Sequence, residues 1–127
     1  FYVHYAYARC KSIVKNSNIF DQKFSFEEIS MLKDNNELSL IKIISQWPRV
    51  VELSAKHMEP HRICYYLIEL ASEFHSLWNK GKVNENLKFI HVDDISITNS
   101  KLALINSVML TIKSGLNILS INPMEEM

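Results

Sequence analysis

The chain has 127 residues, 47% of them hydrophobic, with 14 Lys and Arg against 14 Asp and Glu. That is one domain's length with enough apolar material for a core, which excludes disorder, and zero formal net charge counts against nucleic-acid binding driven by bulk charge. Two Gly and three Pro exclude collagen-like and low-complexity classes and suit long helices. Apolar runs of only a few residues speak against a membrane span, and no signal-peptide pattern opens the chain, so a cytoplasmic protein is expected. Cys10 and Cys64 form no CxxC pair and sit among apolar residues, where reduced, buried thiols are expected. The start at Phe1 inside a helical pattern suggests a piece cut from something larger.

Residues 1–16 place Val3, Ala6, Tyr7, Cys10 and Val14 on one helical face. Tyr2, Tyr5 and Arg9 fall on a second face, away from that stripe, flanked by Lys11 and Lys15, and no acid occurs before Asp21. Aromatic rings offer stacking surfaces to unpaired bases, and arginine holds phosphates or stacks as a cation. The same pattern also allows these tyrosines to pack on a neighbouring helix or a partner domain.

Residues 17–25 read as a loop, after which Ser25 and Glu28 form a capping box that opens a short helix. The Asp34-Asn35-Asn36 cluster is expected to end it. A further helix runs through Leu38, Ile41 and Ile44 to Trp47, where Pro48 breaks or kinks it, and the next carries Val50, Val51 and Leu53 towards Met58. Pro60 fits the first turn of a helix over about 61–80 that aligns Ile63, Leu67, Leu70, Phe74, Leu77 and Trp78. With Cys64, Tyr65 and Ile68 on its back, this is the expected central helix. Gly81 is expected to end it in a left-handed conformation.

Residues 83–98 read as irregular and acidic, with Phe89-Ile90-His91-Val92 suited to a short extended piece. The last helix is expected to begin near Thr98 to Ser100, with Asp93-Asp94 helping to cap it, and it carries Ile105, Val108, Met109, Ile112, Leu116 and Leu119 on one stripe. Gly115 inside it points to a close helix–helix approach. The expected fold is all-α: a single helical bundle of about five to six helices.

No constellation reads as catalytic. His57 and His61 lack a third metal ligand and are separated by Pro60, while His4 and His75 read as helix-surface residues and His91 as a loop residue. Glu69 and Glu73 read as a solvated face, and no Gly-rich phosphate loop occurs.

Three segments together carry a family resemblance: FYVHYAYARCKSI at 1–13, the run from Glu37 through WPRVVELSAKHMEPHRICYYLIELASEFHSLW, and SKLALINSVMLTIKSGLNILSINPMEEM at the end. They resemble the C-terminal anticodon-binding domain of class I arginyl-tRNA synthetases, the α-helical domain named for its DALR motif. The signature close to YVQYAHAR matches Tyr2, Val3, Tyr5, Ala6, Ala8 and Arg9, and the family's terminal Pro and Met match Pro123 and Met127. The resemblance implies that Tyr2, Tyr5, Arg9, Tyr66 and Met127 line an anticodon site, with Lys11, Lys15 and Arg62 as candidate phosphate contacts. The sequence departs from the family at His4, Tyr7 and Glu126, the last standing where a basic residue often precedes the final Met.

The resemblance further implies one domain over 1–127, belonging to a larger ligase whose ATP- and arginine-binding catalytic domain lies elsewhere, so that no cofactor and no catalytic site belong to this stretch. The implied partners are the anticodon stem-loop of arginine tRNA and that catalytic domain, with no membrane, in a monomer. The alternatives from the residues alone are a helical protein–protein interaction module or the anticodon domain of another synthetase. The zero net charge conceals opposed patches: +3 over residues 1–19, −3 over 20–39, +2 over 40–66 and −2 over 83–98.

Overall fold

The computed structural model describes residues 1–19 and 23–127. Among these it contains six α-helices, one 3-10 turn and no strand: α1 (Tyr2–Asn16), α2 (Phe26–Ile29), α3 (Asn35–Ser45), α4 (Trp47–His57), α5 (His61–Gly81), the turn at Glu85–Leu87, and α6 (Ile95–Ile118). The all-α expectation therefore holds. The middle of the loop expected at 17–25, including Asp21, lies outside the described residues.

Local chemistry sets most of the boundaries. Ser25 and Glu28 form the expected capping box, each satisfying the other's amide at 3.1 Å. Asp34 starts a helix rather than ending one: its carboxylate accepts from the Asn36 amide at 2.8 Å, and Glu37 reaches back to the Asp34 amide. One residue, Gln46, separates α3 from α4, and Pro48 falls in the first turn of α4, where its missing amide is not needed. At the end of α4, Met58 adopts φ 54, and the chain turns directly into α5 with Pro60 as its N-cap, one position before the first turn.

α5 is the central helix, with Ile63, Tyr66, Leu67, Leu70, Phe74 and Leu77 buried. It packs against α1, α3, α4 and α6. Its back is more open than the sequence suggests: Tyr65 and Ile68 are exposed, and so is Cys64, whereas Cys10 is buried and desolvation drives its thiol pKa far up. In α3 the residue inserted into the core is Leu40, and Leu38 stays exposed.

The two glycines serve close approach. A Cβ on Gly115 would meet Leu67 Cδ2 at 2.7 Å, so α5 and α6 touch there as expected. Gly81 does not take a left-handed conformation; it is the last residue of α5, and a Cβ there would meet the Leu87 carbonyl oxygen at 3.0 Å. The absence of a side chain lets the returning chain lie against the helix end.

That returning segment forms a 3-10 turn, and no extended piece occurs at 89–92. Phe89 is buried and stacks on Trp78 with ring centroids 6.0 Å apart. α6 begins at Ile95, earlier than expected, because Asp94 accepts from the Ile97 amide at 3.0 Å while Thr98 Oγ1 donates back to the upstream chain. α6 is long and apolar enough by length and composition to cross a membrane, but 56% of its most apolar window is buried within the fold. It contacts α1, α2, α3 and α5, which makes it a core helix here. Within it, Lys101 is buried, ion-paired to the buried Glu37 of α3 and bonded to the Asn86 carbonyl at 2.9 Å. Burial lowers the Lys101 pKa, with Asp34 acting in the opposite direction.

Candidate nucleic-acid interface

α1 buries Ala6, Tyr7, Cys10 and Ile13 against the bundle, which leaves Tyr2 and Tyr5 on its outer side, 47% and 43% exposed. Arg9, one turn after Tyr5, is held from several directions. One terminal nitrogen lies 3.0 Å from His75 Nδ1 and the other donates to the Tyr5 hydroxyl at 2.5 Å. Its guanidinium sits 4.3 Å from the Tyr5 ring centroid and 5.1 Å from that of Trp78. The helix spacing that places Tyr2, Tyr5 and Arg9 on one face therefore brings them together against the C-terminal half of α5.

His75 is the centre of that contact and is 6% exposed, not on the surface as its position in the sequence suggests. Its ring lies 4.7 Å from the Tyr2 ring and 5.5 Å from the Tyr5 ring. A guanidinium only donates, so the Arg9 contact requires an unprotonated Nδ1. Burial lowers the His75 pKa from its ordinary 6.5, and the adjacent Arg9 charge acts the same way. The Tyr2 backbone acts the other way and favours the proton, and the buried Nε2 has no hydrogen-bond partner.

Beside this cluster runs a groove of about 880 Å³ between α1, the end of α5, the 82–90 segment and the C-terminal tail. Tyr5, Trp78 and Met127 are among its aromatic and apolar lining, and Arg9, Lys11, Lys15, Lys82 and Lys88 supply positive charge. The tail is fixed by His4 Nδ1, which accepts from the Met124 amide at 3.1 Å, and by Lys11 pairing with Glu125 at 3.2 Å. Glu125 and Glu126 thus bring two negative charges to a groove whose other charged lining residues are cations.

The structure does not bring Tyr66 or Arg62 to this groove. Tyr66 is 4% exposed; its hydroxyl donates to the Ile43 carbonyl at 2.9 Å and its ring stacks on Trp47 at 5.1 Å. Burial, reinforced by Glu69, pushes its phenol up to about 12. Arg62 pairs with Glu59 in the first turn of α5, about 20 Å along the helix from His75 at 1.5 Å per residue. Among the described residues, no three His, Cys, Asp or Glu side chains gather as they would around a metal ion.

His75, Trp78, Lys82 and Lys88 are the members the sequence reading missed. The sequence places Trp78 in a core stripe, and only the packing of α1 across α5 brings it to Arg9.

Residues 3–127 match the family model of the DALR anticodon binding domain. An arginine–tRNA ligase from Ehrlichia chaffeensis is 47% identical over 128 residues, spanning all of this chain and 22% of that protein. Another from Jannaschia sp. is 41% identical over 126 residues, covering 99% of this chain and 22% of the relative. The chain thus spans about a fifth of the length of the curated relatives it matches. Among solved structures, the arginyl-tRNA synthetase of Thermus thermophilus superposes with a TM-score of 0.75 at 21% identity, over 99% of this chain and 21% of that one, which shows a shared fold. With its sequence matched from residue 3 to the last residue, the chain belongs to the DALR anticodon binding domain family.

Proposed function

We propose that this chain recognises the anticodon loop of arginine tRNA within an arginine–tRNA ligase. The observation that carries this reading is the convergence of Tyr5, Arg9, Trp78 and Met127 on one groove edged by four lysines. Splayed anticodon bases stack on Tyr2, Tyr5 and Trp78, with Met127 as an apolar edge, at about 1–3 kcal/mol per stacked base. Arg9, Lys11, Lys15, Lys82 and Lys88 hold the flanking phosphates. Tyr66, buried and bonded to Ile43, supports α5 rather than contacting a base, and Arg62 lies at the opposite end of that helix.

Binding here positions the acceptor end of the tRNA over a distant catalytic domain of the same enzyme, which consumes ATP to attach arginine; this domain contributes orientation and no catalytic group. The assembly acts as a monomer in the cytoplasm, and this domain needs no cofactor of its own. Filter binding to arginine tRNA transcripts with altered anticodon bases tests the reading. Weaker binding to altered anticodons, falling steeply with salt, is the expected result. Equal affinity for every anticodon would sink base readout by this domain, and salt-independent docking would point to a protein partner instead.

A further inference from the structure

The groove residues depend on a histidine that does not line the groove. His75 is buried beneath Tyr2 and Tyr5 and meets Arg9 through Nδ1 at 3.0 Å, while the other terminal nitrogen of Arg9 is taken by Tyr5 at 2.5 Å. The guanidinium also lies near two rings, Tyr5 and Trp78, and its orientation is set by two acceptors. Tyr5 is itself half exposed and belongs to the surface that a ligand would displace, so the one fixed acceptor is His75.

We infer that His75 is a positioning residue for RNA binding: as a neutral imidazole it accepts from Arg9 and presets the guanidinium and both tyrosines for the anticodon loop. This rests on the functional reading above and adds to it a residue that acts through Arg9 without touching RNA. The charged group that acts on His75 is Arg9 of α1; the Tyr2 backbone favours its proton, and the rings of Tyr2 and Tyr5 from α1 and of Phe74 from α5 pack against it. Protonation turns Nδ1 from acceptor to donor and places a cation against a cation, so Arg9 is released. Burial and Arg9 both delay that protonation to a pH below 6.5. The sign separates positioning from simple charge: an added cation would strengthen binding to RNA in acid, whereas loss of the Arg9 acceptor weakens it.

The test compares wild type, His75→Asn and His75→Ala for affinity towards an anticodon stem-loop of arginine tRNA from about pH 8 down to the lowest pH at which each chain stays folded, with the His75 titration followed by NMR over the same range. Asn places an acceptor oxygen where Nδ1 stands and does not titrate. Wild-type affinity is expected to fall about tenfold in acid, with the Asn variant close to wild type at high pH and flat throughout, and the Ala variant about tenfold weaker at high pH. An Asn variant with the wild-type pH profile, or an Ala variant that binds like wild type, overturns the inference. If Ala prevents folding, as a circular-dichroism melt would reveal, the Asn comparison decides. A second arm needs no RNA: the ¹⁵N resonance of Arg9 Nε should move with the His75 titration in wild type and not in His75→Asn. An Arg9 resonance indifferent to that titration also overturns it, whereas failure of every variant to bind RNA refutes the functional reading and leaves this arm to judge His75.

Discussion

Towards its N-terminal half, α5 presents Ile63, Tyr66, Leu67 and Leu70, all buried, with Leu67 seated against Gly115 and Tyr66 anchored to Ile43. Its last two turns present His75 and Trp78 to α1, and Lys82, which follows the helix, lines an open groove. One helix thus carries a packed end and an end that borders the groove, where binding is proposed. At the packed end the Tyr66 hydroxyl is satisfied internally and side chains fill space; at the groove end Trp78 stays part-exposed and Lys82 and Lys88 bring charge to a surface. Substitutions in the first should therefore cost stability, and substitutions in the second should cost affinity.

The sharpest separation should come from Leu67→Ala. It empties the contact with Gly115 and is expected to lower stability by about 2–5 kcal/mol in urea unfolding. RNA affinity of the folded fraction should be nearly unchanged. Trp78→Ala reverses the pattern: affinity for the anticodon stem-loop should drop about 5- to 150-fold, the equivalent of one stacked base, while the unfolding midpoint moves less than for Leu67→Ala. A Trp78 variant that binds normally would break the contrast between the two ends.

Tyr66→Phe is a subtler probe, because it keeps the ring on Trp47 and removes only the hydroxyl bond to Ile43. A loss of about 0.5–1.5 kcal/mol is expected by thermal unfolding, with unaltered affinity. A large affinity loss here would return Tyr66 to the site. The smallest effect concerns the tail: Glu125→Gln frees Lys11 from its surface pair, and binding measured at low salt should tighten by less than about fivefold. Weaker binding would mean that Glu125 serves the groove by holding the tail in place.

What the sequence made legible follows the same division. The Tyr2, Tyr5 and Arg9 face can be read from periodicity because α1 has one buried side and one open side. The Ser25–Glu28 box and Gly115 carry local or steric signals that survive without tertiary knowledge. On a central helix that logic weakens. Apolar residues surround much of α5, so a wheel cannot say which sector α1 covers, and His75 was placed on the surface while Cys64 was placed inside. The Lys101–Glu37 pair joins residues of two helices distant in sequence, and nothing near either residue announces the other. Tyr66 illustrates a different limit: the resemblance put it in the anticodon site, whereas its helix position and Ile43 hold it in the packed end.

The proposed function requires RNA to engage the junction of α1, the end of α5 and the C-terminal tail. The most direct measurement is an NMR titration of the isotopically labelled chain with the anticodon stem-loop of arginine tRNA, following residues at both ends of α5. Signals of Tyr2, Tyr5, Arg9, Trp78 and Met127 should shift together while those of Arg62 and Tyr66 stay in place. Shifts centred on Arg62 and Tyr66, with the groove residues unmoved, would contradict it.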